Sequence, residues 1–122
     1  MEDPILPEVR RLCLGFPEAT EQETWGHPTF RIGRKLFATY GRVEQPDGEA
    51  VSTMTMKAAA GEQDSLLAEG HPFFYPNYVG SKGWIGVLVD DDTDWTEIAE
   101  LVEDSFRLIA PKRVSAKLDD PE

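Results

Sequence analysis

Cys13 is the only cysteine of the chain, and His27 and His71 are its only histidines. One thiol permits no internal disulfide framework and no structural zinc site built on paired thiolates. A metal site would have to draw on carboxylates. Each histidine precedes a proline (His27-Pro28 and His71-Pro72), which is typical of turns; a shared ligand or proton-transfer role is the alternative. The densest acidic run, Asp90-Asp91-Asp92-Thr93-Asp94, is similar to the start of a calcium loop. With Asp90, Asp92 and Asp94 at loop positions one, three and five, Trp95 falls where glycine is needed and Leu101 where glutamate is needed. The run therefore reads as the start of a helix. No Gly-x-Ser-x-Gly elbow or phosphate loop is present, and Gly80-Ser81-Lys82-Gly83 is too short to cradle a phosphate. The expectation is a binding module rather than an enzyme, with no catalytic residue, metal or cofactor.

Two constellations could carry binding. The first is cationic. Between Thr24 and Val43 there is no acid, against Arg31, Arg34, Lys35 and Arg42. A second acid-free stretch, Ser105 to Leu118, holds Arg107, Lys112, Arg113 and Lys117. Acids disfavour strands, which alone thins them from such segments. Yet the chain as a whole has a net charge of −11, so basic zones on an acidic body are expected. Arg31, Arg34, Lys35 and Arg42 would form a wing contacting nucleic-acid phosphates. The bulk charge opposes a polyanion at long range, so any DNA contact is expected to be weak and local. The second constellation is aromatic. Phe73, Phe74, Tyr75, Tyr78 and Trp84 crowd together with Lys82 and no acid. If Phe73 and Phe74 are extended they face opposite ways, so one ring leaves the main core. Trp25, His27, Tyr75, Tyr78 and Trp84 are the candidates for holding a small aromatic ligand or a protein partner.

These residues need a scaffold, and 122 residues suffice for one domain spanning 1–122. Ile5, Val9, Leu12, Cys13 and Phe16 follow helical spacing, predicting a helix over 5–15, closed by Gly15 and Pro17. Cys13 lies on that apolar stripe and is expected to be a buried, inert thiol. Strands are predicted over 21–25, 29–32, 35–40 and 50–57. Gly26-His27-Pro28, Gly33-Arg34 and Gln45-Pro46-Asp47-Gly48 are the predicted turns. In the last of these strands Met54 and Met56 should face the core. A short helix over 61–69, with Leu66 and Leu67 inward, precedes the strand Trp84–Val89, which is apolar on both faces. Asp94 should cap the final helix, with Glu97 three residues on. Trp95, Ile98, Val102, Phe106 and Ile109 form its buried stripe. Pro111 interrupts it, and 112–118 is either a kinked continuation or a new turn. Consecutive hairpins predict an α+β fold of two layers, a mainly antiparallel sheet with helices on one face. No apolar run approaches the roughly 20 residues that span a bilayer, and Met1-Glu2-Asp3-Pro4 lacks a signal pattern. A cytoplasmic location is expected.

An ordered set of residues adds to this reading. Phe16-Pro17-Glu18-Ala19-Thr20, Trp25-Gly26-His27-Pro28, Phe30-Arg31 and Lys35-Leu36-Phe37-Ala38 come first. Lys57, Trp84, Ser105-Phe106-Arg107-Leu108 and Lys112 follow. Together they resemble the MmcQ/YjbR family of small bacterial proteins over nearly the whole chain. The resemblance implies a compact two-layer α+β domain, the double-wing fold, and a DNA-binding role. It implies no catalytic residue.

Overall fold

The structure is a computed structural model that describes residues 3–44 and 46–119. Helix α1 (Leu6–Cys13) leads into four strands: β1 (Ala19–Thr24), β2 (His27–Ile32), β3 (Lys35–Glu44) and β4 (Ala50–Lys57). Helix α2 (Glu62–Glu69), a two-residue strand β5 (Phe73–Phe74) and β6 (Trp84–Val89) follow, then α3 (Trp95–Ile109) and α4 (Lys112–Ser115). The strands form one antiparallel sheet in the order β1-β2-β3-β4-β6-β5. This is the α+β class expected.

Strand alternation sorts the sheet into two faces. On one, Phe30, Tyr40, Met54, Met56, Ile85 and Val87 are at most 2% exposed. All four helices add buried side chains to the same cluster, through Val9 and Cys13, Leu66, Val102 and Phe106, and Val114. The helices thus serve one face only. The Met54 and Met56 orientation is as read from the sequence.

Between β2 and β3 the register steps from Phe30↔Ala38 to Arg31↔Leu36, leaving Phe37 as an extra residue. Such a bulge lets neighbouring residues point the same way, and Phe37 and Ala38 are both fully buried. The Phe37 ring meets Phe106 edge-on at 5.1 Å, and Phe16 stacks on Phe106 at 4.9 Å. Ser105, buried beside Phe106, donates to the Phe37 carbonyl at 2.7 Å and accepts from the Lys57 amide at 2.9 Å. One α3 hydroxyl thereby satisfies backbone groups on two strands.

Several expectations are corrected. The first hairpin turns at Trp25-Gly26, and His27 and Pro28 are the first residues of β2. Leu101 and Ser105 belong to the buried face of α3, whereas Trp95 and Ile109 are half-buried at its margin. After Pro111 the chain starts a new short helix, because Ala110, the residue before proline, is extended at ψ 149°. Gln45, first residue of a predicted turn, lies outside the described residues. The Asp94 cap stands: its carboxylate accepts from the Thr96 and Glu97 amides at 3.1 and 3.2 Å.

Candidate functional site

The face turned away from the helices carries Thr20, Gln22 and Thr24 from β1, and His27, Thr29 and Arg31 from β2. Thr39 and Gly41 come from β3, Thr53, Thr55 and Lys57 from β4, and Gly86 and Leu88 from β6. Contacts confirm the shared face. Thr39 and Thr55 hydroxyls lie 2.6 Å apart, and Thr24 and Thr29 hydroxyls 3.3 Å apart. Among the described side chains of the strands, this face holds no carboxylate. Glu21 and Glu23 alternate with Thr20, Gln22 and Thr24 and so project on the helix side, where Glu21 accepts from Arg10 at 2.9 Å.

At one end of this face, Trp25 and Gly26 form the two-residue loop of the β1–β2 hairpin, with φ of 55° and 80°. Positive φ at both positions is the type I′ pattern, which favours Asn-Gly. A tryptophan here is strained, and its side chain is 93% exposed. Below it lies a concavity of about 350 Å³ bordered by Thr24, Trp25, His27, Thr39, Gly41 and Thr53. Gly41 shapes its floor: a Cβ there would sit 3.6 Å from His27 Nδ1 and 3.7 Å from Thr53 Oγ1.

Arg31 stands beside this concavity. Its Nε donates to Thr29 Oγ1 at 3.3 Å, its Nη2 to Thr24 Oγ1 at 3.2 Å, and its Nη1 to the Arg34 carbonyl at 3.2 Å. Arg34 and Lys35 are exposed at the β2–β3 turn, at the other end of β2 from Trp25, and Lys35, paired with the core residue Ile32, starts β3 on the helix side. None of these three forms an ion pair among the described residues, and the same holds for Lys57, Lys82 and Lys112. Arg10, Arg11, Arg42, Arg107, Arg113 and Lys117 are each paired with an acid. Arg42 is thereby separated from the other three wing candidates. It follows Tyr40 on the helix side and bonds Asp3 at 3.2 Å. Asp3 also accepts from the Tyr40 hydroxyl at 2.6 Å and from the Ile5 and Leu6 amides. Burial raises the Asp3 pKa, but these hydrogen bonds and Arg42 outweigh it and hold it below the usual value. Burial first, and then the bond to Asp3, push Tyr40 up to about 12.

The five aromatic-ligand candidates divide. Trp25 and His27 line the concavity just described. Trp84 is 7% exposed and lies outside the main core cluster. Its strand alternation puts it with Gly86 on the helix-free side. Phe74 covers Gly86 so closely that a Cβ there would lie 2.4 Å from the ring, while its neighbour Phe73 is in the core. Tyr75 lies against Gly80 in the same way. Tyr78 is 93% exposed at φ 67°. The segment after β5 therefore supplies a second, smaller aromatic layer, separate from the Trp25 concavity. Cys13 is fully buried, and burial pushes its thiol up to about 12, an inert state. Among the described residues no cluster of three or more His, Cys, Asp or Glu could hold a metal ion. Nor does any helix among them have the length and apolarity to cross a membrane.

The absence of carboxylates from the helix-free face, among the described side chains, is not part of the sequence reading. The signal was present in β1, whose acids fall only on alternate positions.

No curated protein matches the sequence. A crystal structure of a protein from Pseudomonas syringae, a structural-genomics target, shares the fold, with a TM-score of 0.67. It is 18% identical, and the match covers 90% of this chain and all of that one. The family model described as YjbR matches residues 14–108, most of the chain, and the chain belongs to the YjbR family.

Proposed function

We propose that this protein is a non-enzymatic nucleic-acid-binding module whose contact surface is the helix-free sheet face with Arg31, together with the β2–β3 turn that carries Arg34 and Lys35, these three being its phosphate contacts. The observation that supports this reading best is charge segregation. A chain with 23 acids and 12 basic residues presents, among its described residues, a strand face without a carboxylate and cations left without ion pairs. Strand propensity alone does not account for it, because β1 carries Glu21 and Glu23 but presents both on the other side. A surface of this kind fits a polyanion, while the acidic remainder repels the same polyanion and limits contact to the patch.

The fit to a small aromatic ligand is weaker as a complete account, because the candidate rings fall into two separate places and Trp84 is already covered. The test is charge reversal. Arg34→Glu with Lys35→Glu should abolish binding of a fluorescent oligonucleotide at low salt and leave the melting temperature unchanged. Reversal of Lys112, Arg113 and Lys117 should change affinity little, since Arg113 and Lys117 are spent on Glu18. The opposite ranking would move the site to the C-terminal helix.

A further inference from the structure

We infer that the concavity beneath Trp25 is a subsite for one unpaired base, so that the preferred partner is a single strand rather than a duplex. The inference rests on the nucleic-acid reading above and names the form of nucleic acid.

Three independent features of the site converge. First, Trp25 occupies a left-handed turn position that costs a non-glycine residue energy, yet the indole is 93% exposed and contributes nothing to the core. The fold gains nothing from tryptophan at this position, where asparagine would sit without strain. Second, the indole borders a recess whose floor is kept low by Gly41 and whose walls carry Thr24, Thr39 and Thr53 hydroxyls and the His27 ring. That combination offers a planar surface for stacking, with donors and acceptors for the edge of a heteroaromatic ring. Third, the Arg31 guanidinium is fixed to Thr24, one residue from Trp25, with no carboxylate partner among the described residues. A ring in the recess would therefore have its attached phosphate next to a cation.

A planar heteroaromatic ring joined to a phosphate backbone satisfies all three features. In a duplex the bases are stacked inside and offer no face to an indole, so the subsite favours a strand whose bases are free.

The experiment compares oligothymidylate with an abasic deoxyribose-phosphate oligomer of equal length, which has the same charges and no bases, and with a duplex. Wild-type protein should bind oligothymidylate roughly 5- to 150-fold more tightly than the abasic oligomer. That range is about 1–3 kcal/mol for one stacked base, at 1.4 kcal/mol per tenfold. Trp25→Ala should bring oligothymidylate down to the abasic affinity without altering the abasic affinity itself, and Trp25→Phe should recover part of the loss. Quenching of tryptophan fluorescence by oligothymidylate should disappear in Trp25→Phe. Equal affinity for both oligomers, insensitive to Trp25, would overturn the base subsite and leave the phosphate patch standing. Tighter binding of the duplex would do the same. Failure of every oligomer to bind at low salt would overturn the nucleic-acid reading together with the subsite.

Discussion

Arg31 and Thr24 sit on neighbouring strands, with the guanidinium Nη2 donating to the threonine hydroxyl at 3.2 Å. Arg31 meets hydroxyls and a carbonyl but no acid among the described residues. Its charge is held in place without being neutralised. A side chain already ordered loses less freedom on meeting an anion. The contrast with Arg42 is direct. Arg42 lies in the same acid-free stretch of sequence, but strand alternation sends it to Asp3 on the other side of the sheet.

Trp25→Asn should stabilise the fold while harming binding. Asparagine tolerates the left-handed turn and nothing in the core depends on the indole, so the gain should be up to about 1 kcal/mol. Chemical denaturation and oligonucleotide affinity measured on the same variant check both halves. Loss of stability would mean that the indole supports the hairpin.

Ser105→Ala should destabilise by about 1–3 kcal/mol, because the Phe37 carbonyl and the Lys57 amide would each lose a buried partner. Ser105→Thr retains the hydroxyl but adds a methyl group to a fully buried site. It should restore less than the full amount. An unchanged denaturation midpoint in Ser105→Ala would show that other groups satisfy these backbone atoms.

Trp84→Ala should cost about 3–5 kcal/mol, as for other buried large aromatics, although Trp84 lies outside the main core. The measured midpoint distinguishes a structural second layer from a ligand surface. A midpoint equal to wild type would return Trp84 to the ligand candidates.

Asp3 links stability to pH in one direction. Its folded-state pKa lies below its ordinary value of 3.8. The stabilisation is therefore fully present above that value and is lost as pH falls through the folded pKa. Asp3→Asn should lower stability at neutral pH, and the gap from wild type should close as the solution is acidified below about pH 4. Parallel denaturation series at neutral and acid pH would show it; a gap that persisted unchanged in acid would contradict the assignment.

Much of the scaffold was legible because local chemistry and tertiary demand agreed. Gly33-Arg34 separates β2 from β3, Met54 and Met56 alternate onto the core, and Asp94 caps α3. The errors occurred where they disagreed. Gly26-His27-Pro28 has the composition of a turn, yet the loop is Trp25-Gly26, since a tryptophan at positive φ is not a residue that turn statistics select. Ser105 is polar and was passed over in an apolar stripe, though it is fully buried against two strands. The cationic wing was half legible. The acid-free stretch was visible, but dividing Arg31 from Arg42 required the register across the Phe37 bulge. The aromatic candidates come from two separate stretches of sequence, Trp25 with His27 and Tyr75 to Trp84, and the fold keeps the two groups apart.

The most direct test of the central claim is the salt dependence of binding to single-stranded and duplex oligonucleotides of equal length. Arg31, Arg34 and Lys35 can contact about three phosphates, which on a single strand gives a log–log slope near −2, at roughly −0.7 per contact. The account predicts that shallow slope, tighter binding of the single strand than of the duplex, and loss of both affinities in the Arg34→Glu/Lys35→Glu variant. Absence of binding to either form at low salt would contradict it.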